Sequence, residues 1–468
     1  MLIALTALSI AAVLLTIGFL VIHFLPVLKH FHLPVSIVAG LLGLLFAHFS
    51  IGYFDLGADA RGIFPEKYFL EMKQVPGIFI NIVFATLMLG MPKFSLWKSM
   101  HLAAPNIVMG HAYAWGQHFV GALLAIFVFS YFYENSQYMA PLIAIGFQGG
   151  HGTAAGLTAT FDNLNFTEAV DLGLGVATGG VLIGLISGIV IFKIVSRKDQ
   201  TLTPISKNNG NDADSHDDHD EKDKKKTDLE FKKYMVSKFS VQMGFIVVVI
   251  FTGWVMLKSL VYLESYFFAD SKVSLMAYIP LFPMVLISSI FINAIFRRTR
   301  LFRFLDRKSI EQIGTMSLDF LIVCAVATLD LNVLMDYKLA VGSLLLAGLV
   351  WNIGILMLFA RFIYPSPWYV YAMPDYGGAT ATTASGLLLA DVADPNRLTS
   401  SKKAYMFKQP FYEPFMGGGF VTALSIPLIK FWGIWSYLSI TAMALMLVFL
   451  CGFLLWRKQI RTAAKVSS

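Results

Sequence analysis

The chain has 468 residues, 57% of them hydrophobic and 14% charged, with a mean hydropathy of +0.67. Soluble domains carry about 25% charged residues, so these values exclude a soluble enzyme or a nucleic-acid binder and place most of the chain in lipid. The formal net charge of +7 sits in connections beside apolar segments, where it reports membrane orientation and no nucleic-acid partner.

A bilayer core of ~30 Å needs ~20 mostly apolar residues per helix, and about eleven stretches qualify. The first, 2–27, has no basic segment before it and no small-residue cleavage site, so it reads as a span and not as a removable signal. Stretches 34–54, 76–92, 102–133 and 167–195 follow. Residues 196–238 hold ten basic and ten acidic side chains and read as a solvated connector, with His216 and His219 as weak alternatives for a divalent metal. The series resumes with 239–261, 275–296, 313–334, 339–363, 412–430 and 434–456. Cys324 and Cys451 both lie in apolar runs, so neither a disulfide framework nor a thiolate metal site is expected.

Two further apolar stretches, about 140–160 and 370–390, are rich in Gly and Thr and do not fit as full spans. Irregular backbone survives at membrane depth only where protein or a water-filled cavity satisfies it, so both read as re-entrant segments. With these two not crossing and the first residue outside, 28 of the 36 Lys and Arg fall on the inner side and 6 on the outer. That asymmetry places the central linker and the C-terminal tail in the cytoplasm.

The chain also repeats itself. Ala85-Thr86-Leu87-Met88-Leu89 matches Ala327-Thr328-Leu329-Asp330-Leu331, and Gly149-Gly150 matches Gly377-Gly378. An odd number of crossings separates the equivalents, which inverts the second copy; inverted repeats with broken segments near the midplane mark transporters. The expectation is an all-α polytopic membrane protein of about 11 transmembrane helices. Two inverted five-helix repeats, 1–195 and 239–430, would each carry a re-entrant Gly-rich loop and flank the linker 196–238. An extra helix and tail would occupy 431–468.

The chemistry concentrates in the two breaks. In the first, Gln148, Gly149, Gly150, His151, Gly152 and Thr153 are the candidate substrate-binding residues, because glycines let backbone N–H groups approach a ligand. In the second, Gly377, Gly378, Ala379, Thr380 and Thr382 offer hydroxyls and amides for a carboxylate or a cation. The alternative for both is close helix packing through small residues. His151 reads equally as a ligand donor or a structural histidine, while His111 and His118 read as structural.

Carboxylates at membrane depth are costly and take a cation as their natural partner, so Glu168, Asp171 and Asp375 are candidate ligands for a coupling cation, which the resemblance described below implies to be sodium. Glu168 reads equally as a helix N-terminal residue. No Lys or Arg is expected well inside a span, so an anionic substrate would be neutralised by helix N-termini and co-bound cations. No cofactor is expected beyond a coupling cation, Na+ by the resemblance described below; the expected partners are a small anionic molecule and the lipid bilayer. A channel, or an intramembrane hydrolase using Ser385 and His48, is the rival from a different class.

The motifs resemble the bacterial sodium/glutamate symporter family. Gly149-Gly150-His151-Gly152-Thr153 matches that family's Gly-Gly-His-Gly-Thr loop, Thr167-Glu168 its next helix start, and Gly378-Ala379-Thr380 the opening of its second loop. Pro34 and Gly40 resemble the second span, and the likeness runs to about Lys430. Gln148, Ala381 and Thr383 depart from the pattern, and 413–429 lacks the family's aspartate. The resemblance implies a sodium-coupled importer of glutamate or a related anionic amino acid. It further implies a homodimer with elevator-like movement in the bacterial inner membrane; a proton- or cation-coupled carboxylate transporter is the nearest alternative.

Overall fold

A computed structural model describes residues 2–25, 33–46, 60–61, 64–91, 96–198, 237–267 and 276–466. Most of the charged linker, with His216 and His219, and also His48, lie outside the described residues. The helices are α1 Leu2–Phe24, α2 Val35–Leu44, α3 Glu66–Met88, α4 Leu96–Phe127, α5 Leu142–Gly146, α6 Gly150–Gly156, α7 Thr158–Asp162 and α8 Glu168–Lys198. They continue with α9 Lys238–Phe267, α10 Leu281–Arg298, α11 Arg307–Ala327, α12 Leu331–Asp336 and α13 Lys338–Gly354. A π-helical turn, Ile355–Phe359, joins α13 to α14 Ala360–Ile363, and α15 Trp368–Thr380, α16 Thr383–Ala393, α17 Ser401–Tyr412 and α18 Phe420–Val466 complete the chain. The described strand content is a two-residue antiparallel pairing of Ala60–Arg61 with Phe64–Pro65.

Among the described residues nine helices are long and apolar enough to cross a membrane, as an all-helical polytopic membrane protein requires. Of the expected span 34–54 the described part is α2, which starts directly after Pro34 because proline disfavours helix before it and suits a helix start, while 47–54 lie outside the described residues. The expected boundary between 430 and 434 coincides with a kink in α18, where Gly433 leaves helical geometry with φ +78°. Many large apolar side chains face outward, among them Phe251, Leu346, Leu358 and Trp432, because their solvent is lipid.

Packing divides the helices into two bundles, each drawing on both halves of the chain. In the first, α1, α2 and α3 pack with α9, α10 and α11. Helices α3 and α11 lie antiparallel: Phe79 stacks on Phe320, Met72 and Val75 share a core with Val323 and Ala327, and Arg307 donates to the carbonyls of Thr86 and Leu89 at 2.6 and 2.8 Å. The repeated Ala-Thr-Leu motifs therefore sit where these two antiparallel helices end. Gly40 and Gly43 bring α2 against Val326 and Ala327, where a Cβ would stand only 2.6 Å away. The second bundle holds α4, the broken segments, α8, α13 and α15 to α18.

Candidate functional site

The first broken segment doubles back. Phe147 still donates to Ile143 at 2.8 Å, but Gly149 donates to Ala144, five residues back, and Gly150 takes φ +66°, a conformation that glycine adopts without a Cβ clash. Ile145 before the break and Ala154 after it both pack on Gly173 of α8, so the chain returns on the side it left. In the second segment α15 and α16 form an antiparallel hairpin. Gly377 lies against the Ser385 carbonyl and Gly386, and Gly386 against the Pro374 carbonyl, each close enough to exclude a Cβ. Neither segment is a continuous rod.

The two tips meet. A Cβ built on Gly150 would lie 3.4 Å from Cγ2 of Thr382 and 3.9 Å from the Ala381 carbonyl. A third glycine-rich turn, Gly417-Gly418-Gly419, joins them: Gly418, with φ +82°, lies against Gly149 and the Thr153 hydroxyl. Sequence reasoning passed over this triplet because it fell within the apolar stretch 412–430.

Below the tips opens a cavity of about 320 Å³ between the bundles. One wall is apolar, from Ile80, Phe84 and Leu87 of α3 and Leu318 and Ile322 of α11, with Arg307 and Glu311 at its edge. The other carries Gln148, Gly149, Gly150, His151 and Gly152, then Thr382 and Thr383, then Gln409, Glu413 and Gly417. Tyr412 donates its hydroxyl to Oε1 of Gln148, while Nε2 of Gln148 is buried with no hydrogen-bond partner. His151 pairs Nε2 with the Thr178 hydroxyl at 3.0 Å and leaves Nδ1 unpartnered. The Thr383 hydroxyl donates to Oε1 of Glu413, and Thr382 caps α16 by accepting from the Ser385 N–H at 3.5 Å.

The expected binding residues divide into two sets. Gln148, Gly149, Gly150, His151, Gly152 and Thr382 line the cavity. The others have packing partners. The Thr153 hydroxyl donates to the Gly149 carbonyl at 2.9 Å, the Thr380 hydroxyl donates to Tyr376 at 2.9 Å, and the Ala379 carbonyl accepts from Gln117 at 2.8 Å. Gly377 faces α16, and Gly378 and Ala379 border a recess of about 10 Å³, room for one water.

The carboxylates expected for sodium do not converge, and among the described residues no three His, Cys, Asp or Glu side chains gather. Asp171 accepts from Lys73 at 3.2 Å and from the Asp330 N–H at 3.1 Å, tying α8 to α3 and to the start of α12. Glu168 stands half-buried in the first turn of α8, 3.4 Å from the Thr167 hydroxyl. Asp375 is fully buried and ion-paired to Lys408 at 2.7 Å; its second oxygen takes the Asn106 amide at 2.6 Å and the Tyr364 hydroxyl.

Lys408 corrects the expectation that no fixed cation stands among the helices. It is among the 28 basic residues that the charge asymmetry assigns to the inner side, but it is 3% exposed. It belongs to α17, whose mixed polar and apolar composition hid its burial. His118 behaves as a structural histidine, with Nδ1 2.6 Å from the Tyr437 hydroxyl, and His111 sits edge-on to Tyr412. Neither cysteine is disulfide-bonded. Ser385 is buried beneath the tip of the hairpin and bonded locally.

No curated protein matches the chain closely enough to count as a relative. The family model described as "Sodium/glutamate symporter" matches residues 1–366, so the match ends ahead of the second break and short of the limit near Lys430 that the motifs led us to expect. It spans well over half the chain and includes the first break and the cavity wall from α3 and α11. The chain therefore belongs to the sodium/glutamate symporter family and is a multi-pass membrane transporter, not an enzyme.

Proposed function

We propose that the protein imports glutamate or a related anionic amino acid together with sodium, by alternating access at the cavity beneath the two broken segments. The observation that carries this reading is the meeting of Gly150 with Ala381 and Thr382 beside two unpartnered polar atoms, Gln148 Nε2 and His151 Nδ1. A substrate carboxylate is a fitting acceptor for the Gln148 amide, and the start of α16 adds its positive dipole end.

The antiparallel pairing of α3 with α11 supports an inverted repeat, with 1–195 and 239–430 interleaved in space. The position of the cavity between two bundles supports an elevator-like movement of the bundle that carries the broken segments against the other. We assign that other bundle to a homodimer in the bacterial inner membrane, with the linker and C-terminal tail cytoplasmic. Moving net positive charge inward gains ~2.3 kcal/mol per charge per 100 mV, which is the physical reason for co-transporting cations with an anion.

Uptake of glutamate into proteoliposomes under an imposed sodium gradient tests this. Accumulation that collapses when choline replaces sodium at fixed pH is expected. Uptake indifferent to sodium but driven by a pH gradient would replace sodium by protons, and uptake indifferent to both would refute symport.

A further inference from the structure

We infer that Lys408 is a built-in cation, its ammonium occupying the Asp375 carboxylate in place of a mobile coupling ion. Asp375 lies on α15, two residues before Gly377 and Gly378, inside the hairpin whose tip closes the cavity. Both of its oxygens are engaged, one by Lys408 at 2.7 Å and the other by Asn106 at 2.6 Å and Tyr364. The ammonium also stands 4.1 Å from the ring centre of Tyr412 and 5.2 Å from that of Tyr405. Gly110 of α4 packs so closely that a Cβ there would lie 2.8 Å from Nζ.

A carboxylate, two aromatic faces and close backbone make a socket for a compact monovalent cation, which a lysine ammonium fills and a planar guanidinium would not. A simple strap between α15 and α17 does not require charge, because apolar side chains of similar volume hold helices together at least as well as a buried ion pair. Charges retained inside a packed bundle of apolar helices are costly, and such residues mark function. With Asp375 neutralised by the chain itself, Glu413 is left to the mobile ion. It lines the cavity beside the Thr383 hydroxyl, and among the described residues it has no Lys or Arg within ion-pair distance.

This inference rests on the cation-coupled reading above and is separable from it. The experiment measures radioactive sodium bound per chain by the purified full-length protein, for the parent, for Lys408→Ala and for the double variant Asp375→Asn/Lys408→Met. Lys408→Ala bares a buried carboxylate and is expected to bind one more sodium ion per chain than the parent. The double variant has neither charge and is expected to bind the parent's number. A folded, monodisperse Lys408→Ala protein with unchanged sodium binding overturns the inference. So does a double variant that loses one sodium, since Asp375 would then be a sodium ligand in the parent; this arm stands even where the alanine variant fails to fold. A parent that binds no sodium counts against sodium symport alone, and a sodium gained by Lys408→Ala still supports the assignment.

Discussion

Gly150 and Thr382, 232 positions apart in the chain, stand in van der Waals range at the tips of the two broken segments, with 3.4 Å between Cγ2 of Thr382 and the place a Gly150 Cβ would occupy. Gly150 also has φ +66°, where an L-residue costs roughly 1–2 kcal/mol and a β-branched one more. Gly150→Val is therefore expected to abolish substrate accumulation while the protein still inserts and purifies as a folded species. Normal uptake by this variant would show that the tip contact is not part of the site.

Gln148 lines the cavity, keeps a buried, unpartnered Nε2 and anchors its oxygen on Tyr412. A hydrogen bond to a charged group is worth about 1.5–3 kcal/mol, so Gln148→Leu is expected to raise the apparent KM for an anionic substrate roughly 10- to 150-fold. Tyr412→Phe keeps the amide and loses the hydroxyl that anchors it and that also bonds the Gly110 carbonyl at 2.8 Å; a lost hydrogen bond of about 1 kcal/mol predicts a rise of roughly five-fold. Initial-rate uptake measurements compare the two; equal effects would mean that the amide does not touch substrate.

Asp171 was expected among the sodium ligands, and its contacts make it a strut between α8, α3 and the backbone at Asp330. Lys73 is 43% exposed, so the pair adds little stability in itself. Asp171→Asn keeps an oxygen for the Asp330 N–H, and the sodium concentration for half-maximal uptake is expected to stay within about five-fold of the parent, since a screened exposed pair contributes about 0–1 kcal/mol. A ten-fold increase would place Asp171 at a sodium site after all.

Gly121 of α4 faces the Ala140 carbonyl, and a Cβ there would overlap that oxygen. Backbone cannot swing aside as a flexible side chain does, so Gly121→Ala is expected to destabilise the bundle by about 1–3 kcal/mol, the usual cost of overpacking. A lowered thermal midpoint in detergent, with sodium dependence unchanged in the surviving activity, is the expected readout. An unchanged midpoint would mean that α4 and the 136–141 turn are not packed as described.

The spans, the two breaks and the family were legible because each depends on local composition. About twenty apolar residues make a span whatever their neighbours do, and Gly149 to Gly152 weaken a helix wherever they stand. The triplet Gly417 to Gly419 carried the same kind of signal, masked by the apolar residues around it. What the sequence could not disclose is which polar groups meet. Asp375 and Lys408 are 33 residues apart, and Asn106 is 269 from Asp375. A charge count placed Lys408 in a cytoplasmic loop because hydropathy averages over a window and registers neither burial nor pairing. Likewise, the two halves of the chain read as consecutive blocks, yet each bundle takes helices from both. Apolar content determined that this chain lives in lipid, and glycine content where it breaks. Only the folded arrangement decided what faces the cavity and which charges cancel, because those are properties of distance in space.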